Sequence, residues 1–374
     1  MEPETVRAPT IIAVGIAHKV PELRILPQGS FSVIDQKTGE IKRLRQGEES
    51  TVRTETGRIR VGPHRFRETA RLLPGKPEEF VLIGGRKYRG NLVFQPNKDG
   101  SVTAIDELDI EDYLLGVLPD EMAPDWPVEA LKAQAVVART FALNNLGKYS
   151  TSGYDVSDDS RSQIYAGQTV QSERVEAAVR GTRGQVLTWQ GKRLQAYFHS
   201  CCGGRTMDPA EVWDRTDPPA PIRSSKSPPP LKGVRDRYCR GTPYYEWTAY
   251  FRAEDIMKTL QRHGWNALTL DNLRIGRRHP AGFLRDLHVH ADREWLSLPA
   301  EDFRRWMGAG DIKSTHITRV SRGKKGYEFQ GYGYGHGVGM CQWGARRQAE
   351  DGRAYREILD HYFPGAALTR LETP

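Results

Sequence analysis

Only four of the 374 residues are cysteine, too few for a fold built on disulfides. No two of them are spaced Cys-x-x-Cys, so zinc ribbons and thioredoxin-like redox sites are excluded. His-Glu-x-x-His and comparable ligand spacings are missing, which speaks against a metallohydrolase. There is no helix-turn-helix, zinc-finger spacing or aromatic RNA-binding signature, so nucleic acid is not an expected partner. Long apolar runs are missing too. The stretch 11–17 near the start is too short to cross a bilayer, and no basic segment with a cleavage site precedes it. Neither a transmembrane segment nor an export signal is therefore visible. No repeat or low-complexity tract interrupts the chain.

What remains is an ordinary globular composition, 38% hydrophobic and 27% charged, with enough apolar chain to bury a core. The length favours two domains. Lys and Arg exceed Asp and Glu by 55 to 47. That modest surplus is compatible with an anionic partner and selects none.

The grammar changes along the chain. Short strand-like pieces at 10–17, 29–35, 57–61, 79–84, 91–96 and 102–105, punctuated by turn residues such as Lys98-Asp99-Gly100, predict a small antiparallel β domain over 1–105. The charged stretch 42–60 reads as solvated hairpin surface. Asp109 then opens a helix whose Ile110, Tyr113, Leu114 and Val117 share one face. Pro119 is expected to end it, leaving Asp120-Glu121-Met122 in a turn. Pro127 opens a second helix to about residue 146, closed by Gly147, and a third covers 172–180. A hairpin over 185–198 turns at Gln190-Gly191. Residues 214–232 carry six prolines and read as an exposed loop. Beyond it, strands at 244–252, 268–275, 282–290 and 293–298 alternate with helices at 253–263 and 300–307, and a hairpin across Gly323 closes the series. The class is α+β, with the larger domain at 106–370.

Four stretches are too peculiar to be packing alone. One runs from Tyr113 through Asp120-Glu121-Met122 into Gln134 and Arg139-Thr140. The others are Gln163-Ile-Tyr165-Ala-Gly167, Phe198-His199-Ser200-Cys-Cys-Gly203-Gly204, and Gly335-His336-Gly-Val-Gly-Met-Cys-Gln342-Trp343. Glycines on both sides of a histidine let backbone approach closely. A carboxyl beside Pro119 and Met122 that is partly desolvated would be shifted toward the range of a general acid. Together these residues describe a cleft with one carboxyl, two histidines, amides and a hydroxyl.

In this order the four stretches resemble the SpoIID/LytB family, over residues 106–363 and more weakly at Lys87-Tyr-Arg-Gly90. The resemblance implies a SpoIID-like catalytic domain, α-helical and β-rich, behind the small β domain. It implies peptidoglycan as substrate and cleavage by a lytic transglycosylase; the alternative is a non-catalytic glycan-binding enhancer of a cell-wall amidase. The catalytic glutamate falls on Glu121, which would act alone as acid and base, a variant of glycosidase logic without an obligatory second carboxylate. Asp120 is set aside, because neighbouring side chains usually point apart. Gln134, Arg139, Gln163, Tyr165, His199, Ser200, His336 and Gln342 are the expected substrate-binding or supporting residues. Tyr165 and Trp343 fit a core or a sugar-stacking platform equally well. The inferred substrate places the protein outside the cytoplasmic membrane, so an export segment or another export route is expected.

Some family members bind zinc through a Cys/His cluster just ahead of the Gln-x-Tyr motif. Residues 156–162 here contain neither residue type, so that site is missing, and neither metal nor cofactor is expected. A different site, using Cys201 or Cys202 with Cys341 and a histidine, is the lesser alternative. The expected pairing is a disulfide between Cys202 (or Cys201) and Cys239, closing the proline-rich loop in an oxidising compartment.

Overall fold

A computed structural model of the chain describes residues 11–213 and 227–371. They form two compact units, residues up to Gln195 together with the C-terminal segment from Leu368, and Ala196–Ala367. Helices and strands are mixed in both, so the class is α+β. The boundary expected at 105/106 falls instead inside the strand Val102–Asp109, which pairs with Ile11–Val20 on one side and Asn91–Pro96 on the other.

The first unit begins with two antiparallel-rich sheets of seven and six strands. Alternation along the strands turns Val33, Leu72, Phe94 and Ala104 of one sheet and Val52 and Ile59 of the other inward, as a half-buried strand requires. The charged stretch 42–60 is thus a pair of hairpin arms with a buried apolar face. Strand Val102–Asp109 runs directly into α1 (Ile110–Glu121), capped by the Asp109 side chain on the Glu111 N–H. Helices α2 (Val128–Asn144) and α3 (Glu173–Gly181) pack on α1 and on each other. Strand Gln185–Trp189 lies against α2, and Ala367–Arg370 pairs with that strand.

Two local expectations need correction. Pro119 does not end α1, because it lies within the last turn and α1 continues to Glu121. A proline there loses its own N–H bond and crowds the carbonyl four residues back, yet one turn from the end the helix absorbs this, and the Met122 N–H still reaches the Leu118 carbonyl at 2.9 Å. The second arm of the 185–198 hairpin stops at Arg193. Phe198–His199 leaves that sheet and pairs in parallel with Met340–Cys341.

In the second unit, α4 (Pro209–Val212) is a single turn. Strands Glu246–Arg252, Gly326–Tyr332 and Ile317–Arg322 form one antiparallel sheet, and Leu270–Ile275, Asp286–Ala291 and Glu294–Pro299 another. Helices α5 (Ala253–Arg262) and α6 (Ala300–Met307) close a core of Trp247, Ile256, Leu260, Val289, Phe303 and Phe329. Helices α7 (Gln342–Glu350) and α8 (Tyr355–Tyr362) follow the glycine-rich segment. Residues 214–226 of the proline-rich stretch lie outside the described residues. Its remaining part is not an exposed loop, since Ser227, Pro230 and Leu231 are buried.

Candidate active site

The four sequence stretches resolve into two constellations, one in each unit. In the first, Glu121 occupies the final residue of α1 and is half-buried. Its Oε1 accepts a hydrogen bond from the Ile164 N–H at 3.1 Å. Asp120 Oδ2 accepts from the Ala166 N–H, also at 3.1 Å. Alternate amides of one extended segment therefore take two neighbouring carboxylates. Desolvation raises the Asp120 carboxyl above its ordinary range, and the Ala166 amide partly offsets this. Asp120, set aside from sequence, thus belongs to the constellation.

The segment 163–167 alternates as a strand would. Gln163 and Tyr165 are buried while Ile164 is 43% exposed. Tyr113 donates to Gln163 Oε1 at 3.2 Å, and Tyr165 donates to Asp106 Oδ2 at 2.7 Å. Tyr165 is fully buried, so it is core and not a stacking platform. Asp106, which sequence reasoning passed over, is also fully buried. Burial pushes its carboxyl up to about 7, against the lowering effect of the Tyr165 hydroxyl and the Gly90 N–H. A Cβ at position 90 would lie 2.0 Å from Asp106 Oδ1, so glycine is required there. The Gln168 N–H donates to the Lys87 carbonyl at 2.7 Å. The weakly recognised Lys87–Gly90 stretch is therefore the floor under this segment.

Arg139 is fully buried and paired with Glu111 through two bonds, Nε to Oε1 at 2.9 Å and Nη2 to Oε2 at 2.6 Å. Glu111 Oε1 also accepts the Gly184 N–H at 3.1 Å, and Arg139 Nη1 donates to the Gln185 carbonyl at 3.1 Å. These bonds tie α1, α2 and the 185–189 strand together. Arg139 is a positioning residue with no face left for a glycan. Gln134, on the same helix, is fully buried, and neither atom of its amide finds a hydrogen-bond partner among the described residues.

In the second unit, His199 and His336 are both held by the backbone of one residue, Val338. His199 Nδ1 lies 3.0 Å from the Val338 carbonyl and donates to it. His336 Nδ1 lies 3.0 Å from the Val338 nitrogen and accepts from it. These bonds fix the tautomers by assignment: His199 presents a bare Nε2, and His336 carries its proton on Nε2. His199 Nε2 is buried with no partner among the described residues. Desolvation depresses His199 to about 4. It depresses His336 to about 3, with His199 and Arg304 adding to the shift. Both rings are neutral at pH 7. Close backbone approach makes this possible, for a Cβ at Gly339, which has φ 75°, would sit 2.1 Å from the Tyr197 carbonyl oxygen.

Aromatic rings border the pair. Trp213 stacks near Tyr197 at 4.8 Å and near His336 at 5.2 Å between centroids. Trp343 is half-buried, lies 5.9 Å from the exposed Tyr244 and carries the Arg346 guanidinium over its ring. Of the two aromatic readings, Tyr165 is core and Trp343 lies half-buried at the surface among Tyr244 and Arg346. Gln342 is buried with its amide nitrogen unpartnered among the described residues. The Ser200 carbonyl accepts the Trp343 N–H at 3.1 Å. Cys202 and Cys239 bring their Sγ atoms to 3.4 Å as thiols.

Residues 98–189 match the family model described as Stage II sporulation protein, and residues 188–339 match a domain of unknown function, DUF8618. An uncharacterised protein of Brachyspira hyodysenteriae is 33% identical over 292 residues, covering 78% of this chain and 74% of that protein. The amidase enhancer of Bacillus subtilis is 27% identical, over 79% of this chain but only 46% of its own length. Stage II sporulation protein D of Bacillus amyloliquefaciens is 27% identical over 72% of this chain and 77% of its own length. The chain belongs to the SpoIID/LytB family.

Proposed function

We propose that this protein acts on the cell wall, outside the cytoplasmic membrane, and cleaves peptidoglycan glycan strands as a lytic transglycosylase. The observation that carries the reading is the setting of Glu121: a half-buried carboxylate at a helix end, held through one oxygen by the Ile164 N–H. Such a group is fixed in orientation beside the 163–167 segment. Protonated Glu121 donates to the glycosidic oxygen as the C1–O bond breaks. The muramyl O6 forms the new bond to C1, and its proton passes to the Glu121 carboxylate. A 1,6-anhydro ring closes, no water is consumed, and the enzyme regains its proton. Asp120, Gln163 and Tyr165 position the segment that orients Glu121. Among the described residues no helix is long and apolar enough to cross a membrane.

The test is mass spectrometry of purified glycan strands incubated with wild type and with Glu121→Gln. Wild type should give 1,6-anhydromuramyl ends and the variant should give none. Reducing muramic acid ends would instead identify a hydrolase and overturn the assignment. A second reading, glycan-binding stimulation of an amidase, is favoured by the relative named amidase enhancer. It predicts no cleavage by wild type, and faster release of stem peptides when a cell-wall amidase is added.

A further inference from the structure

All four cysteines of the chain converge on one buried point of the second unit, although they come from positions 201, 202, 239 and 341. Cys202 follows the Phe198–His199 strand, Cys341 ends the Met340–Cys341 strand paired with it, and Cys239 lies on the segment after the proline-rich stretch. Asp236 joins them. One ligand atom from each of Cys202, Asp236, Cys239 and Cys341 lies within 4.8 Å of all the others, and every one of these residues is buried. Cys202 Sγ is 3.4 Å from Cys239 Sγ and 3.3 Å from Asp236 Oδ2. A tetrahedral zinc ion bound to sulfur at about 2.3 Å needs neighbouring ligand atoms about 3.8 Å apart. Cys202 lies about half an ångström inside that spacing from Cys239 and Asp236, and no pair exceeds it by more than about 1 Å, a gap that small side-chain rotations close.

We infer that Cys202, Cys239, Cys341 and Asp236 form a closed structural zinc site, distinct from the Glu121 constellation. The surroundings are those of bound thiolates. Cys341 Sγ accepts the Cys202 N–H and the Gly344 N–H, each at 3.3 Å, the second at the N-terminus of α7. Asp236 Oδ2 accepts the Tyr362 hydroxyl at 2.8 Å and Oδ1 the Tyr238 N–H at 2.8 Å. Ligating carboxylates are commonly oriented by such outer hydrogen bonds. With four protein ligands and full burial, no position is left for water, so the ion holds structure and performs no chemistry. It joins the two short parallel strands to the 236–239 loop immediately beside His199. This site replaces the expected Cys202–Cys239 disulfide, and it protects those thiols from oxidation outside the cytoplasm.

The experiment uses the full chain, made in an oxidising compartment and purified without chelator. Elemental analysis should find one zinc per chain. Exchange for cobalt should give thiolate-to-cobalt charge-transfer absorption that Cys341→Ser abolishes. Because that variant can unfold, Tyr362→Phe is the second arm. It removes only the hydroxyl on Asp236 and should weaken zinc binding by roughly 10–100-fold. Cys201→Ser should keep the metal. Zinc lost in Cys201→Ser but retained in Asp236→Asn would overturn the ligand set. A Cys202–Cys239 disulfide in non-reducing peptide maps, with no zinc bound, would overturn the site altogether.

Discussion

At the end of α1 two carboxylates grip the amides of residues 164 and 166, whereas the N–H and carbonyl of one residue, Val338, grip two imidazoles. The two constellations are inverse uses of the same bond, and the inversion divides their chemistry. Glu121 is oriented through one oxygen by a backbone donor at a half-buried helix end. His199 and His336 each spend a ring nitrogen on Val338 and sit where desolvation holds them neutral, at about 4 and about 3. A group with so low a pKa is a poor general acid at pH 7. The histidines are thus fixed acceptor and donor groups, and in the proposed reading proton transfer falls to the first unit.

The comparison breaks first at Glu121. Glu121→Gln keeps an oxygen for the Ile164 N–H, so the fold should survive, while cleavage falls by about 10²–10⁴-fold. Full activity in the variant would move the proton chemistry elsewhere, with the second unit next in line. Arg139→Leu comes next. It strands Glu111 as a buried charge without its guanidinium, and should cost about 3–5 kcal/mol in urea unfolding at pH 7. A near-neutral result would mean that Glu111 is satisfied by the Gly184 amide alone.

A third pair of variants sharpens the contrast through pH. Asp106 has its folded pKa raised from 3.8 to about 7. The folded state therefore holds a proton that the unfolded chain loses, and this group's contribution to stability declines as pH rises from about 4 to about 7. His199 behaves oppositely. Its folded pKa is depressed from 6.5 to about 4, so the unfolded chain binds protons first and stability is lost as pH falls through that window. Asp106→Asn should remove a penalty of up to about 4 kcal/mol at pH 7, and His199→Gln an acid sensitivity of up to about 3 kcal/mol at pH 4. The check is Tm against pH for both. Parallel curves would show that one of the two burials is wrongly assigned.

How far the sequence could go depended on whether the information was local. Asp109 as a cap and the periodicity after it located the start of α1 to the residue, and residues 91–96 and 300–307 matched their elements at both ends. The misreading of Pro119 was also local: a proline penalises the turn before it, but does not by itself stop the helix, and here two more residues follow it in α1. What the sequence could not carry were meetings between distant segments. Arg139 and Glu111 are on different helices, and nothing in either helix's pattern names the other. The parallel pairing of His199 with Cys341, which gathers the cysteines, follows from topology alone. Trp213 showed no signal, because one tryptophan before a proline-rich stretch reads as surface.

Asp120 is the smallest test and the most specific. Its exclusion rested on the rule that adjacent side chains diverge. At this helix end the rule fails to separate them, because an extended segment lies alongside and offers amides two residues apart, at 164 and 166. Asp120→Asn retains an oxygen for the Ala166 N–H, so stability should change by less than about 1 kcal/mol and cleavage by less than about tenfold. Asp120→Ala removes the acceptor. It should cost about 0.5–1.5 kcal/mol and loosen the 163–167 segment, seen as faster hydrogen exchange at the Ile164 and Ala166 amides. If Asp120→Ala slows cleavage as much as Glu121→Gln while those amides stay protected, then Asp120 handles a proton itself. The single-carboxylate mechanism would then give way to one with two.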